Sequence, residues 1–284
     1  MVLLAGCGLA DLREDTLLDE ATRIEQDSEQ KGRRILASMF EAHGGATFDR
    51  LETVCAEIED TWPSWMMRAF VVPWEKDPQT FRLCMQPGKD NSQLTFLDGP
   101  RQGEVWGIQN WATYTLDEAS QKPHFEANED IWFWLPTVQY FTEAAFRLHE
   151  AQYVGYAGER TYEGRLYDGV FLTWESVVPS KRMDQYVAWV ERETGRLGLL
   201  EYTVRDMFRF VTGTAVYTDY ASYGLAGGEG VLMYPGLVTI HSGDVEDGDI
   251  LHVMRIASIA LDAIDEAMLL PEPTRRANKS SKGE

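Results

Sequence analysis

The chain has 284 residues, of which 46 are Asp or Glu and 26 are Lys or Arg, and its formal charge of −20 is scattered instead of gathered in one tail. A surface of that sign repels phosphate backbones, which sets nucleic acid aside as a partner. Nine Trp, twelve Tyr and twelve Phe within a 44% hydrophobic composition call for a folded core, and no run of about twenty apolar residues is present to cross a bilayer as a helix.

At the N-terminus, Leu4-Ala5-Gly6-Cys7 places an aliphatic residue and two small residues before a cysteine. These four positions resemble a bacterial lipobox. In that class the thiol takes a diacylglyceryl group, and the small residues give the peptidase access to the bond before it. The resemblance implies that Cys7 is a lipid-attachment site and that residues 1–7 are the remnant of a signal peptide. A full signal has a basic region and about 7–15 apolar residues, whereas six residues precede Cys7 here. The other reading is an ordinary N-terminus with a free Cys7. Residues 8–27 are highly charged and read as a polar tether or a weak helix, with Thr16-Leu17-Leu18-Asp19 matching a capping box.

The segment GRRILASMFEAHGG sets Ile35, Met39 and Ala42 on one stripe and stops at Gly44-Gly45, which predicts an amphipathic helix over 28–43. His43 falls in its last turn, where a cation favours the helix dipole. From 51 to 117 the period becomes two: Val54, Ala56 and Ile58 share a face, as do Phe81, Leu83 and Met85. Cys55 and Cys84 fall on the opposite, polar faces, either as a cross-strand pair or as two free thiols. Residues 128–149 are rich in aromatics and predict a helix over 130–148 that Pro136 begins or breaks. Alternation then returns, with hairpin turns at Glu193-Thr194-Gly195 and Asp247-Gly248, the latter joining 237–242 to a strand from about 250. Past Ile256 strand and helix fit equally well. One domain is expected over 28–270, followed by a polar, disordered tail at 271–284.

This order of elements resembles the LolA/LolB-like lipoprotein-sorting proteins over residues 30 to 265. The resemblance is carried by EAHGG, by Gly158-Glu159, Gly164 and Tyr167-Asp168, by Asp184, Tyr186 and Trp189, and by Glu193-Thr194-Gly195. It implies an α+β fold: a strongly curved antiparallel β-sheet, a half-barrel, with helices covering its concave face over an apolar cavity. It implies a lipid or other lipophilic small molecule as the ligand, since acyl chains in water cost about 25 cal/mol per Å². Trp106, Trp111, Trp132, Trp134, Tyr140, Phe141 and Phe146 are the candidate ligand-binding residues, with core packing as the alternative for each. It also implies a bacterial envelope location, at the outer membrane facing the periplasm, held by the lipid anchor. Anchoring departs from a free carrier and favours acceptor-like or structural roles.

No catalytic role is expected. The chain lacks the G-x-S-x-G elbow of the hydrolases, and the glycines of GLAGGEG (224–230) lack dinucleotide spacing and read as a loop. His241 and His252 face each other if the turn is centred at 246–247, but two histidines without a third ligand do not make a metal site. No metal or cofactor is expected. A protein-interaction module with a packed interior is the alternative to a lipid binder.

Overall fold

The computed structural model describes residues 8–272 apart from 15, 118–120, 207 and 226–229. Cys7, most of the GLAGGEG loop and the tail beyond 272 lie outside the described residues. The chain begins with α1 (Gln26–Ala42) and the short α2 (Gly45–Phe48), then β1 (Val54–Thr61) and α3 (Trp65–Phe70). A meander follows: β2 (Gln79–Met85), β3 (Asn91–Phe96), β4 (Val105–Gln109), β5 (Ala112–Leu116) and β6 (Pro123–Phe125). Helix α4 (Glu129–Arg147) leads into a second meander of β7 (Tyr153–Tyr162), β8 (Arg165–Thr173), β9 (Tyr186–Glu191), β10 (Leu197–Val204) and β11 (Phe208–Thr218). The chain closes with β12 (Ala221–Gly224), β13 (Val231–Tyr234), β14 (Leu237–Ser242) and β15 (Ile250–Leu261).

Thirteen strands share one open sheet in the order β6-β5-β4-β3-β2-β1-β15-β14-β11-β10-β9-β8-β7, and β12 and β13 form a separate ribbon. The class is α+β, as the sequence implied. The helix expected at 28–43 is α1, and the strand pair expected at 237–242 and from 250 is β14 and β15. The ambiguity past Ile256 resolves as strand, because β15 continues to Leu261 opposite β1. The chain divides into two compact units. One comprises residues up to 43 with 145–218 and 238–251, and the other 44–144 with 219–237 and from 252 onward. Each meander pairs mainly with its own neighbours, which keeps contacts within each unit.

In the first unit α1 packs on β7 and β8. The close approach requires Gly32, where a Cβ would stand 2.9 Å from a methyl of Val154 and 3.2 Å from one of Val170. The described residues within 8–25 form turns and bends, not a helix, and they are not a free spacer. Leu12 and Leu18 are buried with Phe171, Val187, Trp189 and Leu199. Two buried leucines, at about 1.5–3 kcal/mol each, hold this charged segment onto the sheet. The Leu12 N–H also donates to Gln185 Oε1 (3.1 Å), and the Leu17 N–H donates to the Ala157 carbonyl (3.0 Å).

His43 corrects another expectation. It does follow α1, with Nδ1 2.8 Å from the Met39 carbonyl oxygen, but the ring is fully buried. Burial pulls its pKa down to about 4, with Arg196 acting in the same direction and the Met39 carbonyl opposing it. The imidazole is therefore neutral at pH 7 and is not a cation on the helix dipole. The unfolded chain takes up this proton near pH 6.5 and the folded one only near pH 4, so stability is complete above pH 6.5 and is lost as pH falls between those values. Urea titrations at pH 7 and pH 4.5 should differ by about 2–3 kcal/mol from this group, and His43→Gln should flatten that slope.

In the second unit β1 and β2 pair in a register that sets Cys55 opposite Cys84, and the two form a disulfide. Both half-cystines are buried against Leu269 and Ile264, so this end of the face expected to be polar is covered by the segment after β15, while Glu59 and Arg82 on the same face are exposed. Helix α4 starts on Asn128, whose Oδ1 accepts from the Ile131 N–H (3.0 Å). Ile131, Trp134, Leu135, Val138 and Phe141 form its buried stripe. Pro136 neither begins nor breaks this helix but lies inside it. It sits with Trp132, Phe133 and Tyr140 on the less buried side, where the lost backbone bond is tolerated. Helix α3, capped by Ser64, turns Trp65, Met66 and Phe70 to solvent.

Candidate functional site

The aromatic interior of the second unit begins with β1. Its inward positions Val54, Ala56 and Ile58 continue to Asp60, which puts a fully buried carboxylate in an apolar register. Such a group needs its lone pairs filled. The Trp62 indole Nε1 donates to Asp60 Oδ2 (2.7 Å), and His252 Nε2 of β15 bonds Asp60 Oδ1. The His252 ring stacks on Trp62 with centroids 4.0 Å apart and planes 11° from parallel. With both oxygens engaged, Asp60 has a structural role and is not a free base.

Trp134 of α4 rests on this triad. Its ring lies edge-on to Trp62 (5.4 Å), to Trp74 (5.4 Å) and to Phe133 (5.1 Å). Trp106 of β4 packs on Phe96 (5.1 Å), donates to Glu104 Oε1 (2.7 Å) and carries the Arg101 guanidinium 5.2 Å from its ring. The Trp62, Trp74, Trp106 and Trp134 rings are buried, and the indole N–H groups of Trp62 and Trp106 have carboxylate partners.

Trp111 is different. It occupies the second position of the two-residue turn between β4 and β5, where Gln109 pairs with Ala112. Asn110 (φ 48°) and Trp111 (φ 64°) are both left-handed, as this turn type requires, but the second position ordinarily takes glycine. A bulky residue there is a backbone outlier of the kind that clusters at functional sites. The ring is 38% exposed, lies 5.8 Å from the half-buried Trp132 of α4, and donates from Nε1 to Asp90 Oδ2 (3.1 Å).

Of the seven expected aromatics, the structure gathers Trp134 into the Trp62 and Trp74 cluster and pairs Trp111 with Trp132. Tyr140 is half-buried and Phe141 buried further along α4. Phe146 lies at the end of α4 assigned to the first unit, against Phe40 (6.4 Å) and His43 (5.9 Å). Sequence reasoning missed Asp60, although its place in the Val54, Ala56, Ile58 alternation was visible. It also missed the buried Glu143 of α4, which accepts from the Gly88 N–H (3.1 Å) and the Gln139 amide (2.9 Å). His241 and His252 have separate partners, since His241 Nδ1 lies 3.2 Å from the Gly248 carbonyl oxygen. No cluster of three metal-ligating residues occurs among the described residues. Two shallow grooves of about 440 and 450 Å³ lie in the first unit beside Thr22, Arg23 and Tyr156, and beside Tyr153 and Glu175, away from the expected aromatics.

No protein-family model matches the sequence, and no curated protein does. Solved structures do. The chain is similar to a LolA superfamily protein from Nitrosomonas europaea, at 14% identity and TM-score 0.50, over 84% of this chain and 96% of that one. It is similar to a domain assigned to the outer membrane lipoprotein-sorting proteins, from Vibrio parahaemolyticus, at 10% identity and TM-score 0.52, over 85% and 97%. A DUF1329 family protein from Desulfovibrio piger matches at 11% identity and TM-score 0.51, again over 85% and 97%. Likeness at such identities is one of backbone architecture, and it agrees with the element order read from residues 30 to 265. The chain has the LolA-like fold.

Proposed function

We propose that this protein is an envelope lipoprotein, anchored through Cys7 at the outer membrane and facing the periplasm, that binds the apolar part of a lipid or other lipophilic molecule without catalysis. The observation that carries the reading is the Trp111–Trp132 pair. A strained, exposed tryptophan at a hairpin tip packs against Trp132 of the aromatic helix, and on this reading it acts as a clasp for an apolar ligand. Trp106, Trp134, Tyr140 and Phe141 are the further candidate ligand contacts, with Phe146 at the far end of α4. The LolA-like fold and a buried disulfide, which persists in oxidising compartments, support the envelope location.

Trp111→Gly tests the clasp, because glycine suits the left-handed backbone while removing the ring. Delipidated protein carrying this change should keep its melting temperature and bind a dansyl-labelled fatty acid about tenfold more weakly, equivalent to about 1.4 kcal/mol. Unaltered protein that yields no co-purifying lipid by native mass spectrometry and takes up no dansyl fatty acid would overturn the reading. The near-complete burial of Trp106 and Trp134 favours a second one, an interaction module with a packed interior. It predicts a crosslinked protein partner and no uptake.

A further inference from the structure

The N-terminal chain is strapped to one end of the first unit. Strands β10 and β11 pair in regular register from Leu199 with Val216 to Thr203 with Thr212, but Val204 then pairs with Phe208. Residues 209–211 are thus extruded as a bulge. The Arg209 carbonyl, released from the ladder, accepts from the Ala10 N–H (3.0 Å). Arg205, whose side chain is almost wholly buried, donates to both the Arg209 carbonyl (2.7 Å) and the Ala10 carbonyl. Ala10 is therefore fixed beside the bulge.

Two phenylalanines flank that point. Phe210 is 72% exposed and Phe208 is 39% exposed, with the exposed Arg209 between them. Gln185, which accepts from Leu12, donates to the Val177 carbonyl (3.1 Å) and so brings the neighbouring, exposed Val178 to the same end. Single exposed apolar residues need no explanation. A bulge that turns Phe210 outward beside the exposed Phe208, where the N-terminal chain is pinned, does need one.

We infer that Phe208 and Phe210 form a membrane-contact patch that seats the first unit on the bilayer beside the acyl chains of Cys7. The inference rests on the lipid anchor proposed above. Ala10 is three steps along the chain from Cys7, with Gly8 and Leu9 between them, and a fully extended chain of that length spans at most about 11 Å. A thioether-linked lipid on Cys7 cannot leave this neighbourhood, so the bilayer surface must meet this end of the strands. Phenylalanine with a flanking arginine is the chemistry of an interfacial contact, with rings among the upper acyl chains and the guanidinium at the phosphates.

The opposite end of the strands supplies the control. Val204 pairs with Phe208, Tyr202 with Tyr186, and Tyr186 with Leu172. The exposed Leu166 lies six residues further along β8, about 20 Å away. The full chain, acylated on Cys7, would carry p-benzoylphenylalanine at position 210 or at position 166 in vesicles of phosphatidylethanolamine and phosphatidylglycerol. After irradiation, phospholipid adducts should be at least about tenfold more abundant on the 210 peptide than on the 166 peptide, and Cys7→Ser should abolish the difference. Protein that floats with the vesicles but shows no excess at 210 overturns the patch and leaves the anchor standing. Protein that carries no lipid on Cys7 and does not float overturns both.

Discussion

Replacing His252 by alanine is expected to destabilise the protein by about 3–5 kcal/mol in urea titrations followed by tryptophan fluorescence. The change removes the partner of Asp60 Oδ1 in a site where the carboxylate is completely buried. It also strips the stacked ring from Trp62. A completely buried carboxylate oxygen left without its hydrogen-bond partner carries its full dehydration cost, so the loss exceeds that of an ordinary hydrogen bond. A second variant separates the carboxylate from the packing. His252→Phe keeps a ring against Trp62 and leaves the carboxylate unpaired, so it should recover only part of the loss. Combining it with Asp60→Leu removes the buried carboxyl group as well and should recover more, as apolar replacement of a complete buried pair often does. Equal stabilities for His252→Phe with and without Asp60→Leu would show that the carboxylate carries none of the effect.

The second large effect is expected from the covalent bond between β1 and β2. Cys55 and Cys84 are 29 residues apart, and closing a loop of that length in the unfolded chain removes entropy worth about 3–4 kcal/mol at 25 °C. The bond joins two residues already opposed in the ladder, so it adds constraint to the unfolded chain without asking the folded one to move. The paired change Cys55→Ser with Cys84→Ser should lower the urea midpoint by the equivalent of that figure, plus a smaller loss from two hydroxyls beneath Leu269 and Ile264. Reducing the native protein should do nearly the same. Identical midpoints with and without reductant would mean that the bond does not constrain the unfolded state.

Much of the strand framework was legible because alternation is a local property. Val54, Ala56 and Ile58, or Phe81, Leu83 and Met85, announce their faces without any knowledge of the partner strand. The helices at Gln26–Ala42 and Glu129–Arg147 announced themselves by their stripes in the same way. What was not legible depended on distant chain. Cys55 and Cys84, on the polar side of the first strands, are dry because Ile264 and Leu269 return to cover them. Leu17, Ala21 and Ile24 have helical spacing, yet Leu12 and Leu18 dock on the sheet and leave turns instead. Pro136 suggested a boundary by its missing N–H, but burial of the stripe on the opposite side carries the helix through it. In the candidate site the aromatics were visible as residue types. Their grouping required the register that puts Asn110 and Trp111 at a turn, and the crossing that puts His252 against Asp60.

The disulfide has a consequence for biosynthesis. The chain contains three cysteines, and three thiols in an oxidising compartment allow three different pairings, two of which would trap Cys7. On the reading proposed above, Cys7 becomes a thioether when it receives its lipid. The only pairing left is then Cys55 with Cys84, so the membrane anchor would also act as a protecting group in oxidative folding.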